Sequence, residues 1–164
     1  MKCLVVYYSL EGNTRLMAQA IAGEAHGDRL ELIPVNDIRP TGFMRFFWGG
    51  RQVFTRQKPE LKPLERNPSE YDLIFLGTPV WAFTFAPAIR SFLGQCSLEG
   101  KPVALFCCYV GAESRTFTDL RTALPGSRIL GEIGFRDPGR RDPEASVARA
   151  KAWAKDMIRL AEGG

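Results

Sequence analysis

Three continuous apolar runs, separated by segments of helical periodicity, predict an α/β fold in which helices cover both faces of a parallel sheet. The runs are Cys3–Tyr8, Tyr71–Gly77 and Lys101–Cys107. Each is long enough for one strand and too evenly apolar for a sheet with one face in water. The strand–helix alternation repeats five times along the chain, which describes a three-layer α/β/α sandwich around a five-stranded parallel sheet. Right-handed crossovers then place every strand-to-helix loop on one edge of that sheet.

The elements follow in order. After Cys3–Tyr8 the chain turns through Ser9-Leu10-Glu11-Gly12-Asn13-Thr14 and enters a helix whose buried stripe is Leu16, Met17, Ala20 and Ile21. Arg29–Val35 reads as a short second strand through Leu30, Leu32 and Ile33. In the segment from Asn36 to Ser69, Phe43, Phe46, Phe47, Val53 and Phe54 recur at roughly helical spacing despite Gly49-Gly50, so an amphipathic helix is expected there. Lys58 to Pro68 is a proline-punctuated loop.

Tyr71–Gly77 is the third strand, expected to stop at Thr78, and Pro87 suits the first turn of the helix carrying Ile89, Phe92 and Leu93. Lys101–Cys107 is the fourth strand, followed by a loop from Cys108 to Ser114 and a helix from Thr116 through Phe117, Leu120 and Leu124. Arg128–Phe135, less hydrophobic and interrupted by Gly131 and Gly134, suits an edge strand. Asp142-Pro143-Glu144 starts the last helix, with Val147, Ala150, Ala154, Ile158 and Ala161 as its stripe.

Composition narrows the class. The chain has 164 residues, 45% hydrophobic and 24% charged, and carries a net charge of +4. That describes one ordinary globular domain, residues 1–164, without a linker or repeat. No apolar run is long enough to cross a membrane and no signal peptide is visible, so the expected location is the cytoplasm. Cys3, Cys96, Cys107 and Cys108 show no disulfide or zinc spacing, and His26 is the single histidine, so no metal site is expected. The vicinal Cys107-Cys108 pair reads as strand filler rather than a redox couple. No basic run with interleaved aromatics points to nucleic acid.

Chemistry concentrates in three loops. A buried strand feeding a hydroxyl- and glycine-containing turn and a helix start is a phosphate cradle, because unpaired N–H groups and the helix dipole favour an anion there. Ser9, Asn13 and Thr14 add side-chain donors; alternatively, Ser9–Thr14 is a polar loop whose hydroxyls cap the helix. The turn is neither a Walker loop, since no lysine follows Gly12, nor a dinucleotide fingerprint, since Gly12 stands alone. The second loop, Thr78 to Phe85, carries Trp81, Phe83 and Phe85, either presented to a planar ligand or packed inward. The third is Cys108 to Ser114. In strand order 2-1-3-4-5 these loops follow adjacent strands flanking the point where crossovers diverge to opposite faces.

YYSLEGNTR, GTPVWAFTFAP and CCYVGAES together resemble the flavodoxin family over essentially the full length of the chain. The resemblance implies a flavodoxin-like fold with strand order 2-1-3-4-5 and FMN at its switch point, an example for which that family is the standard case. By position it implies that Ser9, Leu10, Glu11, Gly12, Asn13 and Thr14 wrap the FMN phosphate. Pro79, Val80, Trp81, Ala82, Phe83 and Thr84 would lie against one side of the isoalloxazine. Cys108, Tyr109, Val110 and Gly111 would approach the other side and the pyrimidine edge.

Two departures stand out. Glu11 occupies a position where the family has a hydroxyl residue, so its side chain is expected to face outward while its N–H contributes. The family's carriers are typically acidic, whereas this chain has a pI near 9.

The implied function is electron transfer through non-covalently bound FMN, the protein tuning the potentials by ring contacts and backbone carbonyls. The alternative is an FMN-dependent NAD(P)H or quinone oxidoreductase, and a flavin-free interaction module is the third reading. A phosphoacceptor receiver shares the topology but needs acidic residues where Ser9 and Thr78 stand. Expected partners are a redox protein or a small-molecule reductant or quinone, with no nucleic acid and no membrane. The Phe43–Phe54 segment is expected to build a substrate pocket or a homodimer contact.

Overall fold

The structure, a computed structural model, describes residues 1–36 and 58–163. The expected helix over Phe43–Phe54 lies outside the described residues. In chain order the elements are β1 (Cys3–Tyr7), α1 (Asn13–Ala25), β2 (Asp28–Glu31), β3 (Leu73–Trp81) and β4 (Thr84–Phe85). There follow α2 (Pro87–Gln95), β5 (Pro102–Tyr109), α3 (Thr116–Ala123), β6 (Arg128–Arg136) and α4 (Pro143–Glu162).

Five parallel strands lie in the order β2-β1-β3-β5-β6, and β4 pairs antiparallel with the end of β3. With that hairpin strand set aside, this is the expected 2-1-3-4-5 order, with β6 at the expected edge. Strand alternation sorts the side chains into two cores. Leu4, Val6, Ile74, Leu76, Val103 and Leu105 meet Ile89 and Phe92 of α2 and Leu120 of α3. Cys3, Val5, Leu73, Phe75, Ala104 and Phe106 meet Met17, Ala18 and Ile21 of α1 and Ala150, Ala154 and Met157 of α4. Each large apolar side chain so buried contributes about 1.5–3 kcal/mol.

The consequence for function is topological. β1 sends its crossover to the α1/α4 face and its neighbour β3 sends its crossover to the α2/α3 face, so a crevice opens between their carboxyl ends. The helix starts follow local chemistry. Pro87 and Pro143 occupy first-turn positions, and the Asp142 side chain accepts the Ala145 N–H at 3.0 Å.

Three strand ends differ from expectation. The fourth strand runs on to Tyr109, because Cys108 and Tyr109 stay paired with Phe135 and Arg136 of β6, so these two residues lie in the sheet and not in the loop expected from Cys108. The second strand ends at Glu31 rather than Val35 because the chain leaves the sheet, Pro34 instead bridging Leu61 in the proline-punctuated loop. The third strand does not stop at Gly77. It continues through Trp81, first paired with β5 at Thr78 and Pro79, then folded back on Thr84 and Phe85. A methyl group at Gly77 would sit 2.0 Å from the Phe106 ring, so only glycine lets β3 and that phenylalanine coexist.

Candidate functional site

All three loops singled out in the sequence emerge at the carboxyl edge of the sheet, after β1, β3 and β5. The first is tightly built. Gly12 takes φ +98, the left-handed region that glycine enters without strain, and its carbonyl accepts the Leu16 N–H to begin α1. Ser9 is buried, and its Oγ accepts the N–H groups of Gly12 and Arg15, each at 3.2 Å. The capping role and the anion-binding role of Ser9 are compatible in chemistry, because a hydroxyl that accepts two N–H groups keeps one O–H proton to donate. Thr14 is buried at the first turn of α1, beside the Cys108 thiol. Leu10 packs against the α2/α3 core, and Glu11 is exposed.

Asn13 reaches across the edge. Its Nδ2 donates to Asp137 Oδ1 at 3.1 Å, and its Oδ1 accepts the Gly139 N–H at 3.0 Å. Asp137 in turn donates its backbone N–H to the Tyr109 carbonyl at 2.7 Å. The turn after β6 is therefore part of this site, tying the loops after β1 and β5 together. Sequence reasoning missed it. Asp137-Pro138-Gly139 is a turn signal, but nothing local distinguishes it from any other surface turn, and its partner Asn13 lies 124 residues away.

Arg15 is committed elsewhere. Its guanidinium bonds Glu31 through Nε at 3.1 Å and Nη2 at 2.5 Å, and Tyr7 donates its hydroxyl to Glu31 at 3.2 Å. Burial, and then the neighbouring Glu31 carboxylate, push the Tyr7 hydroxyl up to about 12.

The second loop is a strained aromatic hairpin. Trp81 pairs with Thr84, so Ala82 and Phe83 are the two central residues of a tight turn, with φ +43 and +70. Such turns favour Asn-Gly because both positions need positive φ; an alanine and a phenylalanine there each carry strain of about 1–2 kcal/mol. Neighbours hold the tip in place. The Phe83 carbonyl accepts the Arg115 N–H at 3.1 Å, and Thr84 Oγ1 donates to Asp119 Oδ2 at 2.5 Å. At its base, Thr78 Oγ1 accepts the Ala86 N–H at 3.0 Å.

The aromatic side chains divide. Trp81 is half-buried, packing its ring against Tyr8 at 89° with centroids 5.4 Å apart, whereas Phe83 is 70% exposed. Pro79 and Val80 are half-buried along the strand, and Thr84 is buried.

At the third loop, Tyr109 ends β5 half-buried, and beyond it Gly111 is exposed and Val110 is 66% exposed, with the Val110 carbonyl accepting the Arg136 Nε–H at 3.0 Å. Cys107 and Cys108 are both buried, and as strand neighbours they point to opposite faces of the sheet. Burial raises both thiols, Cys108 to about 12 despite the opposing effect of the Thr14 side chain. Buried and with raised thiols, both sit as small apolar side chains do in a strand. Among the described residues no group of three or more His, Cys, Asp or Glu side chains could hold a metal ion, and no helix is long and apolar enough to cross a membrane.

The architecture is shared with solved flavoproteins. A protein of Bacteroides eggerthii, provisionally described as a flavoprotein, superposes with a TM-score of 0.80 at 22% identity, covering 96% of this chain and 98% of its own. A flavoprotein of Lactobacillus acidophilus NCFM, solved in complex with FMN, gives 0.70 at 24% identity over 88% of this chain and 98% of that one. The two-electron reduced flavodoxin of Megasphaera elsdenii gives 0.60 at 18% identity, covering 93% and 98%. A family model described as Flavodoxin matches residues 2–133. With most of its length under that match, this chain belongs to the flavodoxin family.

Proposed function

We propose that the chain binds FMN non-covalently at the crevice between β1 and β3 and uses it for cytoplasmic electron transfer. The observation that carries this reading is the meeting, at one sheet edge, of a donor-rich helix-start loop and an aromatic hairpin. Ser9, Asn13 and Thr14, with the N–H groups of the first turn of α1, match a phosphate in donor chemistry. Trp81 and Phe83 offer flat apolar area for a fused ring, and the exposed Val110–Gly111 backbone at the end of β5 offers polar groups for its edge, with Cys108 and Tyr109 held in the sheet behind it. FMN, when bound, supplies the one- and two-electron chemistry; the chain's part is to bind, orient and tune it. The Lactobacillus relative crystallised with FMN agrees with this fit.

An anaerobic reductive titration of the FMN-loaded protein, followed by visible absorbance, tests the carrier role. Two resolved one-electron steps are expected. A single two-electron step, together with turnover of NAD(P)H or quinones, would replace the carrier reading by the oxidoreductase one.

A further inference from the structure

Two residues of the turn after β6, Asp137 and Gly139, grip the loop that starts α1. Asn13, the first residue of that helix, donates from Nδ2 to Asp137 Oδ1 at 3.1 Å, and its Oδ1 accepts the Gly139 N–H at 3.0 Å. A carboxylate at one end of the amide and an N–H at the other leave it a single orientation, because swapping its ends would set oxygen against oxygen and donor against donor. One Nδ2 hydrogen is spent on Asp137, and the second is left to donate to a ligand. Released from the turn, the amide is free to rotate and present its oxygen, which repels an anion.

The turn is built for this grip. Asp137 adopts φ +43, a conformation that aspartate and asparagine enter more readily than most side chains. Its N–H donates to the Tyr109 carbonyl at 2.7 Å, and its carbonyl accepts the N–H groups of Arg140 and Arg141 at 3.1 and 3.0 Å. Pro138 is buried beside it. The backbone is therefore fixed by bonds that do not involve the Asp137 carboxylate, which leaves that carboxylate for Asn13. A methyl group at Gly139 would stand 2.6 Å from Asn13 Oδ1, so glycine is what lets the amide approach so closely.

We propose that Asp137 is a positioning residue for the phosphate end of the site, acting through Asn13 by fixing the amide with an N–H to spare. The proposal rests on the FMN reading above. The test is equilibrium titration of the full-length apo-protein with FMN and, separately, with riboflavin, for the wild type, D137G, D137N, G139A, N13A and N13A/D137G. Glycine keeps the positive φ and removes only the carboxylate, whereas asparagine retains an oxygen that accepts the same bond. D137G should weaken FMN about tenfold and riboflavin by no more than about twofold. D137N should recover most of the loss. G139A, displacing the amide from its other end, should weaken FMN as D137G does. N13A/D137G should bind FMN no more weakly than N13A, because the carboxylate then has nothing left to position. A carboxylate acting by charge alone would instead make both D137G and D137N bind FMN more tightly. Tighter or unchanged FMN binding by D137G, equal losses for FMN and riboflavin, or additive losses in N13A/D137G would overturn the assignment while leaving the FMN site standing. A wild-type protein that binds neither flavin would overturn both.

Discussion

The loop after β1 and the hairpin after β3 face the same crevice but are built in opposite ways. The first is polar and locally satisfied: glycine sits where positive φ is required, Ser9 caps two backbone N–H groups, and Asn13 anchors it across the edge. The second is apolar and strained: Ala82 and Phe83 hold positive φ without glycine, and the Phe83 ring stands in solvent. A site for an anionic tail needs fixed donors, because their geometry determines the binding energy. A site for a planar ring tolerates strain, because broad apolar contact is forgiving of position and the strained tip is clamped by Arg115 and Asp119.

The largest effect should come from removing the floor that both regions share. Gly77→Ala forces a methyl group into the Phe106 ring, and urea unfolding should show a loss of about 3 kcal/mol. Stability within 0.5 kcal/mol of wild type, on the order of ordinary surface changes, would mean the β3–β5 packing is looser than described.

Next, the two regions should separate by ligand. Thr14→Ala is expected to weaken FMN about thirtyfold and riboflavin little, whereas Trp81→Ala should weaken both by about tenfold. Equal responses from the two variants would erase the division between tail and ring.

Smaller still, Ala82→Gly relieves one positive φ and should raise stability by about 1 kcal/mol, read from the unfolding midpoint at unchanged slope. Destabilisation there would show that the turn is not strained.

The alkaline limb offers the finest distinction. The folded-state pKa of Tyr7 lies above its ordinary value of 10.0, at about 12, so the folded state holds that proton more tightly. Its contribution is fully present below pH 10 and is lost as pH climbs towards 12. Tyr7→Phe should therefore make the fall in stability over that window shallower, and an unchanged slope would remove Tyr7 from the network behind the loop.

What the sequence disclosed follows the same division. Buried strands announce themselves as apolar runs, and the Ser9–Thr14 turn shows its donors and its glycine in six consecutive residues, so the fold and the first loop were legible. The hairpin was not, because its sign is an Asn-Gly pair and the chain supplies Ala82-Phe83; its geometry comes from pairing with Thr84 and Phe85 and from the Arg115 N–H. The Asp137–Gly139 contribution was equally hidden, since Asn13 finds it through the packing of the whole sheet rather than through any local pattern.

The central claim is that the carboxyl edge of the sheet holds FMN by its phosphate as well as its ring. Titration of wild-type apo-protein with FMN and with riboflavin, followed by flavin fluorescence, tests it most directly. The account predicts saturable binding of both, with FMN tighter by about a hundredfold, equivalent to roughly 2.8 kcal/mol of phosphate contact. Equal affinities for the two flavins, or no binding of either, would contradict it.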